Sequence, residues 1–524
     1  MKVALVACNA SYVHTNLAVR CIARALTRRG HEAVIVERSL KDRRREFLTA
    51  LYEADADVYG FSVYIWNRET ILSLAADLHQ IRPDAKIVFG GPEISYEDPS
   101  FFERHPFVDN IIAGEGEDAF GEYCDNPPPR HTILCGTPYA GFAEAGILYD
   151  LYPPHTKTGG ILYYESSRGC PFRCSYCLSS ATRGVRAKSA EQTIAELAQF
   201  ESMDGAAVIK FVDRTFNFDR RRADAIWRAL AGDTFRKTYH FEVCADLLDE
   251  ENFRTLAAMP KGRIQLECGV QSTNPDTLRA IDRHADPRAI LAALDRIRRV
   301  GNIHIHADLI AGLPHEGLAR FARSFDETFP VCDLLQLGFL KLLPGTSLRK
   351  QCAGMGYRYS PAPPYEVLIS DCLSYEDLCR LHRIDEVLDR FAGGGNFPRT
   401  LTFLLAREDS PFAFFAALAD AIPAVRALSQ RDAFSAFRRF AHGRVAAEDA
   451  GALDDCLILD WLTHEAGSLP DKLETPRDPR EGQLRREYCA AHREAHPSTV
   501  QVICLSDGTP ILIDRQNHRT EIQL

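Results

Sequence analysis

Three cysteines lie on one short stretch near the middle of the sequence. This stretch, S-R-G-C-P-F-R-C-S-Y-C, follows an apolar run at residues 161–164 and places Cys170, Cys174 and Cys177 at the spacing C-x3-C-x2-C. Three thiolates on one loop can bind three irons of a four-iron cluster and leave the fourth iron without a protein ligand. Structural zinc sites usually take four ligands in paired spacings, and a ferredoxin run has a fourth cysteine followed by proline. The spacing therefore favours an open iron-sulfur cluster.

Composition places the chain among large globular proteins. With 524 residues, of which 46% are hydrophobic and 26% charged, the chain is long enough for roughly three domains. No apolar run approaches the roughly 20 residues that span a bilayer, and the sequence opens on a short apolar strand, so we expect a cytoplasmic protein without membrane contact. The 16 cysteines are scattered, which favours buried thiols. A net charge of −10 disfavours nucleic acid as a partner.

The first quarter of the chain alternates short apolar runs with helical patterns. Apolar runs at residues 2–7, 31–37, 57–62, 86–89 and 109–113 predict strands, and apolar residues recur at helical spacing between them. This alternation predicts a five-stranded parallel sheet in a flavodoxin-like (Rossmann-like) α/β domain. A ligand of such a domain lies outside the carboxyl ends of the strands. We expect it at the loops 8–14, 62–67, 90–95 and 114–117, although glycines in such loops are also ordinary turn residues.

A second alternating region follows a connector rich in proline and glycine. Six further strands are predicted at residues 161–165, 207–213, 239–244, 263–269, 304–310 and 334–339, each but the last followed by a helical segment. The pattern indicates a partial (β/α)6 barrel, whose active site lies at the carboxyl ends of the strands. Polar residues stand at these ends, where they can bind a ligand, meet solvent or cap a helix. The candidates are Asp213, Glu267, Gln271, Ser272, Asp308 and Gly312.

The cysteine loop, with Tyr176 just before its last cysteine, resembles the signature loop of the radical S-adenosylmethionine (SAM) superfamily. The resemblance implies that the open iron chelates the amino and carboxylate groups of SAM, which is cleaved reductively to a 5′-deoxyadenosyl radical. The runs E-C-G-V-Q-S and D-L-I-A-G-L-P-x-E look like the motifs of the fourth and fifth strands that surround SAM in this family. We therefore predict SAM contacts at the candidates above. The usual G-G-E after the second strand is replaced by V-D-R-T-F.

The N-terminal loops resemble the cobalamin-binding domain that precedes the cluster loop in one branch of radical SAM enzymes. The resemblance lies in N-x-x-Y-x-H, G-F-S-V-Y-I-W-N, F-G-G-P-E and A-G-E-G-E, in that order. The D-x-H-x-x-G motif, whose histidine binds cobalt in other B12 enzymes, is absent from the sequence. Cobalamin contacts are predicted at Asn9, Tyr12, Ser62, Gly90, Gly91, Pro92, Gly114 and Gly116.

The last third of the chain is predicted to be mainly helical, with helices at residues 365–391 and 411–441 around a glycine turn at 393–395. The tail at 499–524 alternates like a β-hairpin with its turn at Asp507 and Gly508. This region resembles a domain of unknown function that follows cobalamin and radical SAM modules. The predicted domains are residues 1–135 (cobalamin-binding), 161–364 (radical SAM partial barrel) and 365–524, with a linker at 136–160.

The resemblance implies a B12-dependent radical SAM enzyme that uses a [4Fe-4S] cluster, SAM and cobalamin. The expected reaction is methyl transfer to an unactivated carbon of a small molecule, or ring formation or rearrangement, with an electron donor such as flavodoxin or ferredoxin. One alternative is a cobalamin-free methylthiotransferase that modifies RNA, although that family has three more cluster cysteines in its N-terminal domain. A cobalamin or iron-sulfur sensor without turnover is the other alternative. No residue is assigned a catalytic role.

Overall fold

The computed structural model describes residues 1–143, 149–152, 155–181, 184–464, 469–470, 473, 479–492, 495–514 and 519–522. The chain divides into two compact units. The first unit contains Met1–Gly317, Val331–Asp333 and Gly338–Leu373, and the second contains Leu318–Pro330, Leu334–Leu337 and Ser374–Leu524. Within the described residues, no helix combines the length and the apolar character that crossing a bilayer requires.

A parallel sheet of six strands forms the N-terminal part of the first unit, with the strand order β2-β1-β3-β4-β5-β6. Its strands are β1 (Lys2–Asn9), β2 (Glu32–Ser39), β3 (Val58–Ser62), β4 (Lys86–Gly90), β5 (Asn110–Gly114) and β6 (Thr132–Gly136). Its helices are α1 (Leu17–Arg28), α2 (Arg44–Ala54), α3 (Arg68–Ile81), α4 (Ser100–Arg104) and α5 (Gly116–Asp125). The five predicted strands are confirmed, and β6 forms a sixth strand that the sequence did not predict.

Burial explains why these residues form a central sheet. Seven of the eight residues of β1 are buried, as expected for a strand covered by helices on both faces. Asn16 caps the N-terminus of α1, because its side chain accepts a hydrogen bond from the amide of Val19 at 3.1 Å. The loop between β1 and α1 is therefore held at the carboxyl edge of the sheet, where a ligand is expected.

The second sheet also has six strands, in the order β14-β13-β12-β11-β10-β7. These are β7 (His155–Tyr164), β10 (Asp204–Phe211), β11 (Thr238–Val243), β12 (Ile264–Gln271), β13 (His304–Ala311) and β14 (Leu334–Phe339). Two short antiparallel pairs accompany them, β8 (Ser167–Arg168) with β9 (Arg186–Ala187) and β15 (Arg358–Tyr359) with β16 (Val367–Ile369). The helices are α6 (Ala190–Phe200), α7 (Arg220–Leu230), α8 (Glu250–Ala257), α9 (Pro275–Ala280), α10 (Pro287–Val300), α11 (Leu318–Thr328) and α12 (Ser347–Gln351). The six strands of the predicted partial barrel are confirmed.

Burial along β12 and β13 separates the two faces of this sheet. In both strands fully buried residues alternate with partly exposed ones. The buried residues, such as Leu266 and Ile305, are apolar, whereas the partly exposed positions of both strands include Glu267, His306 and Asp308. Because side chains alternate between the faces of a strand, one face is the apolar core and the other is a polar interior.

The C-terminal unit is mainly helical, as predicted. The predicted helix at 365–391 is helical only from Tyr375, because residues 367–369 form β16, and the predicted helix at 411–441 is divided into two helices. Its helices are α13 (Tyr375–Leu388), α14 (Pro398–Leu405), α15 (Pro411–Ala421), α16 (Gln430–His442), α17 (Ala450–His464) and α18 (Glu481–Ala491). The predicted glycine turn at 393–395 begins at the last residue of a π-helical turn, Asp389–Gly393. The predicted hairpin is formed by β17 (Val500–Cys504) and β18 (Pro510–Asp514), and β19 (Arg519–Ile522) adds a third antiparallel strand.

The predicted domain boundaries remain predictions. All strands of the first sheet and five of the six strands of the second lie in the first unit, whereas Leu334–Leu337 of β14 belong to the second. Within the predicted linker, residues 144–148 and 153–154 lie outside the described residues.

Candidate functional site

The cysteine loop leaves the carboxyl end of β7 and is shaped by the two-stranded pair β8 and β9. Gly169, just before Cys170, has φ +94°, and a Cβ there would lie 2.1 Å from the carbonyl oxygen of Gly184. Only glycine therefore fits this turn. Cys170, Cys174 and Cys177 line one cavity of about 270 Å³. The loop thus gathers its three thiols around one space at the mouth of the barrel.

The three thiols have different surroundings. Cys174 is buried, and burial raises the pKa of its thiol, although the guanidinium of Arg283 opposes this shift. Nη1 of Arg283 lies 3.6 Å from Sγ of Cys174, and Sγ of Cys170 lies 3.6 Å from Oγ1 of Thr215. None of the 16 cysteines, all of which the structure describes, is in a disulfide bond. Three free thiols on one loop, with a cation beside the most buried one, fit a cluster with three protein ligands.

Three of the predicted SAM-contact residues, Glu267, Gln271 and Asp308, line the same cavity as the cysteines. The side chain of Gln271 has an unsatisfied acceptor: its Oε1 is buried and lacks a hydrogen-bond partner among the described residues. Its backbone has φ +67°, which is uncommon for a residue other than glycine. A buried acceptor without a partner indicates a missing donor. The site therefore fits a polar ligand next to the cysteines.

The other three predicted SAM-contact residues do not line this cavity. Asp213 is fully buried and accepts three hydrogen bonds, from the amide and hydroxyl of Ser166 and from the hydroxyl of Ser167, at 2.8, 2.5 and 2.6 Å. The hydroxyl of Ser272 donates to Glu316 at 2.7 Å, and the carbonyl of Gly312 accepts from the hydroxyl of Tyr357 at 2.9 Å. In the structure these groups fix the loops around the cavity.

Carboxylates are concentrated around the cysteine cavity. Burial, supported by the charges of Glu267 and Glu242, raises the pKa of Asp308 to about 8. Burial also raises the pKa of Glu242 to about 7, with Arg214 opposing the shift. For Glu267, burial is outweighed by hydrogen bonds from His240 and Lys210, and its pKa falls to about 2. The cavity therefore contains both charged and readily protonated carboxyl groups.

Three charged residues that line the cysteine cavity, Arg214, Glu242 and Arg283, were not among the predicted SAM contacts. Glu242 and Arg214 stand at or just after strand ends, so the rule that selected Glu267 could also have selected them. Arg283 follows the short helix α9, and no motif pointed to it. Only the folded chain brings the guanidinium of Arg283 close to the thiol of Cys174.

A second, larger cavity of about 1040 Å³ opens at the carboxyl edge of the first sheet. Seven of the eight predicted cobalamin-contact residues line it: Asn9, Ser62, Gly90, Gly91, Pro92, Gly114 and Gly116. The eighth, Tyr12, is 58% exposed and does not line this cavity. The cavity is large and has glycine-rich walls, so it fits a bulky flat ligand that must approach the backbone closely.

Two of the glycines are required by the shape of the loops themselves. Gly91 has φ +111°, and a Cβ there would lie 2.5 Å from the carbonyl oxygen of Val63. Gly114 has φ +90°, and a Cβ there would lie 2.8 Å from the carbonyl oxygen of Gly136, in the strand that the sequence had not predicted. Side chains at these positions would push neighbouring loops apart.

The barrel supplies part of the wall of the larger cavity. Tyr163, Val212 and Arg214, which follow or lie near the ends of the first two barrel strands, line it together with the glycine loops. The loop between β1 and α1 also bonds to β7 directly, because the amide of Ile161 donates to the carbonyl of Val13 at 2.8 Å. Arg214 lines both cavities. The two candidate ligand spaces therefore share a wall.

Arg168 connects the cysteine loop to the glycine loop of the first sheet. Its guanidinium lies 2.8 Å from Glu115, 2.5 Å from Glu117 and 2.9 Å from Glu165. Arg186, on the paired strand β9, also forms an ion pair with Glu115. The two glutamates of A-G-E-G-E thus form ion pairs with the arginines of β8 and β9. These partners are about 50 positions or more apart in the sequence, so no local pattern indicated that they would meet.

Comparisons with known proteins divide the chain into three matched regions. Residues 3–123 match the model of the B12 binding domain, residues 164–327 that of the radical SAM superfamily, and residues 354–502 that of a protein of unknown function, DUF4080. The cysteine loop lies in the second match, and the glycine loops lie in the first.

Curated relatives match about half or more of the chain. The cobalamin-dependent radical SAM methyltransferase TokK of Streptomyces tokunonensis is 27% identical over 303 residues, which are 52% of this chain and 44% of TokK. The uncharacterized methyltransferase PH0819 of Pyrococcus horikoshii is 24% identical over 364 residues, which are 62% of this chain and 75% of that protein. The chain therefore spans less than half of the length of TokK.

A solved structure shares the fold over most of the chain. The cobalamin-dependent SAM radical enzyme OxsB, solved with aqua-cobalamin and SAM bound, aligns with a TM-score of 0.59 and 15% identity over 88% of this chain and 78% of OxsB. At this identity the similarity shows the arrangement of strands and helices alone.

Proposed function

Since this chain has a B12-binding domain followed by a radical SAM domain, as cobalamin-dependent radical SAM enzymes do, we propose that it is a methyltransferase of that family. The domain pairing confirms the resemblance seen in the sequence. The observation that carries the proposal is the shared wall: Arg214 lines both the cysteine cavity and the glycine-loop cavity. Two cofactors in these cavities can act on one substrate held between them.

The chain offers a separate set of residues for each cofactor. Cys170, Cys174 and Cys177 would hold a [4Fe-4S] cluster, and the unpaired acceptor of Gln271 beside them would contact SAM. The glycine loops of the first sheet would hold cobalamin. When bound, the cluster would supply the electron that cleaves SAM and cobalamin would carry the methyl group to a substrate carbon.

The protein's own contribution is to position these groups and to control charge around them. Arg283 places a cation beside Cys174 and thereby favours the thiolate form that binds iron. Glu242 and Asp308 have pKa values near neutrality, so each can be neutral or charged as the ligand beside it requires. Arg168 keeps the two loops together through its ion pairs with Glu115 and Glu117.

The reaction requires a small-molecule substrate and a reductant. We propose a single-electron donor such as flavodoxin or ferredoxin, and methylation of an unactivated carbon. The relatives named methyltransferases support methyl transfer over the ring formation and rearrangement considered from the sequence.

Anaerobic reconstitution tests this function. The full-length chain with iron, sulfide, hydroxocobalamin and SAM should form 5′-deoxyadenosine on reduction, and a substrate in cell extract should gain the mass of one methyl group. Formation of S-adenosylhomocysteine would report methylation of the cofactor. A chain that binds both cofactors but forms no 5′-deoxyadenosine would be a sensor, and one that inserts sulfur without cobalamin would be a methylthiotransferase.

A further inference from the structure

Two histidines and a glutamate come together in the polar interior of the barrel. His240, Glu267 and His306 lie on the neighbouring strands β11, β12 and β13, and Glu267 pairs directly with His306 in the sheet register. One ligand atom from each side chain, an imidazole nitrogen or a carboxylate oxygen, lies within 4.8 Å of the other two. Three separate strands thus bring three potential metal ligands to one point.

The three side chains are held in place by one another and by the sheet. Nε2 of His240 lies 2.7 Å from Oε2 of Glu267, and the rings of His240 and His306 have their centroids 5.3 Å apart at an interplanar angle of 74°. His240 is 4% exposed. Rigid strands fix ligand geometry better than loops do, and burial excludes most competing water.

We propose that His240, Glu267 and His306 form a binding site for a divalent transition metal ion, separate from the cysteine loop. Two imidazoles and one carboxylate are a donor set for Zn²⁺, Fe²⁺ or Co²⁺. Three protein ligands also leave at least one coordination position for water or a substrate oxygen. The site requires no residue of the cysteine loop, although its Glu267 also lines the cysteine cavity. The proposal does not depend on methyl transfer.

Lys210 competes with a cation at this site. Its Nζ lies 3.0 Å from Oε2 of Glu267, the same oxygen that His240 contacts. A metal ion bound to this carboxylate would be repelled by the ammonium, since like charges at such distances interact strongly in a buried site. Replacing Lys210 by methionine should therefore strengthen metal binding, an effect opposite to that of removing a ligand.

His304 provides a matched control. It lies two residues before His306 on β13, and the two rings have centroids 4.8 Å apart. Its side chain is 45% exposed, and it lies outside the three-residue group, 3.8 Å from Asp333. A general effect of losing a histidine from this strand would appear in the His304→Ala variant as well.

Co²⁺ absorption in the full-length chain tests the proposal. Cys170, Cys174 and Cys177 are first replaced by Ala, so that thiolates do not bind the probe. Titration should then give visible d–d bands that saturate at about one metal ion per chain, and Zn²⁺ should displace the Co²⁺. In this background His306→Ala and His240→Ala should each weaken binding by about tenfold or more, Lys210→Met should tighten it, and His304→Ala should change it less than about threefold.

Two results would overturn the proposal. One is a His306→Ala chain that binds Co²⁺ as tightly as its parent while retaining its circular dichroism spectrum. The other is the lack of saturable binding in both the parent and the Lys210→Met chain. The more conservative His306→Gln variant replaces His306→Ala if the latter fails to fold. In the wild-type chain with its cluster assembled, about one tightly held zinc per chain after dialysis against Zn²⁺ would support the proposal.

Discussion

Arg168 and Glu117 form an ion pair, with 2.5 Å between Nη2 and Oε1, that fastens the cysteine loop to the glycine loop of the first sheet. The side chains of the pair are 14% and 6% exposed. Arg168 is also bound to Glu115 and Glu165, so its charge is shared among three carboxylates. The loop that would hold the cluster and the loop that would hold cobalamin are thus fixed to one side chain.

Replacement of Arg168 by Met should destabilise the first unit. Removing one partner of a buried ion pair leaves its carboxylates without compensation, which costs about 3 to 5 kcal/mol. Urea unfolding of the full-length chain measures this change. Arg173→Met, at an exposed position of the same loop, is the control and should change the free energy of unfolding by less than about 0.5 kcal/mol. Equal stability of the Arg168→Met and Arg173→Met chains would show that the ion pairs of Arg168 do not stabilise the first unit.

The sequence predicted the sheets well because hydrophobic alternation is local. The strand β6 was missed because it lies between three consecutive prolines and a segment rich in glycine and proline, and such surroundings are typical of a connector. Its place beside β5 depends on the rest of the sheet, which supplies an edge for it to pair with.

The candidate site was predicted where motifs and strand ends coincide, and only in part elsewhere. The position of Asp213 at the end of the second strand suggested a ligand contact, but its carboxylate accepts hydrogen bonds from Ser166 and Ser167. Strand ends supply both ligand contacts and structural bonds, and the sequence does not distinguish them. The proximity of Arg283 to Cys174 spans 109 positions and exists only after folding.

Replacing Cys170, Cys174 or Cys177 by Ala should abolish cluster assembly and SAM cleavage together. Each cysteine would supply one of only three protein ligands, so the loss of any one leaves two irons open. Iron content and 5′-deoxyadenosine formation after anaerobic reconstitution measure the effect. Cys372→Ala, which removes an exposed thiol, should leave both unchanged. A triple Ala variant that still assembled the cluster would disprove the assignment.

Stability of the C-terminal unit should depend on the protonation of Asp385. Burial raises the pKa of Asp385 from 3.8 to about 6, and the negative charge of Asp389 contributes to this shift. Because the folded state binds this proton more tightly than the unfolded state, the stabilisation is present below about pH 4 and is lost as the pH rises to about 6. The loss is at most about 2 to 3 kcal/mol.

The difference in the free energy of unfolding between wild type and Asp385→Asn, measured in urea, isolates the contribution of Asp385. The variant lacks the titrating group, so its stability relative to wild type should rise between about pH 4 and about pH 6. Asp409→Asn, at an exposed position before α15, is the control and should follow the wild-type pH profile. Parallel pH profiles for wild type and Asp385→Asn would exclude this role.

Gly91→Ala should weaken cobalamin binding without filling the cavity. Its φ of +111° is strained for alanine, and the new Cβ would lie 2.5 Å from the carbonyl oxygen and 3.0 Å from the amide nitrogen of Val63. The loop must move to relieve this contact, at a cost of about 1 to 3 kcal/mol, and hydroxocobalamin affinity should fall by about five- to 150-fold.

Gly262→Ala is a matched control, because Gly262 also has a positive φ, +76°, but has no atom within 4 Å of the added Cβ. It should lose some stability and retain hydroxocobalamin affinity, measured by equilibrium dialysis. Equal affinities for the Gly91→Ala and wild-type chains would place cobalamin elsewhere, since a ligand held at this loop must respond to its displacement.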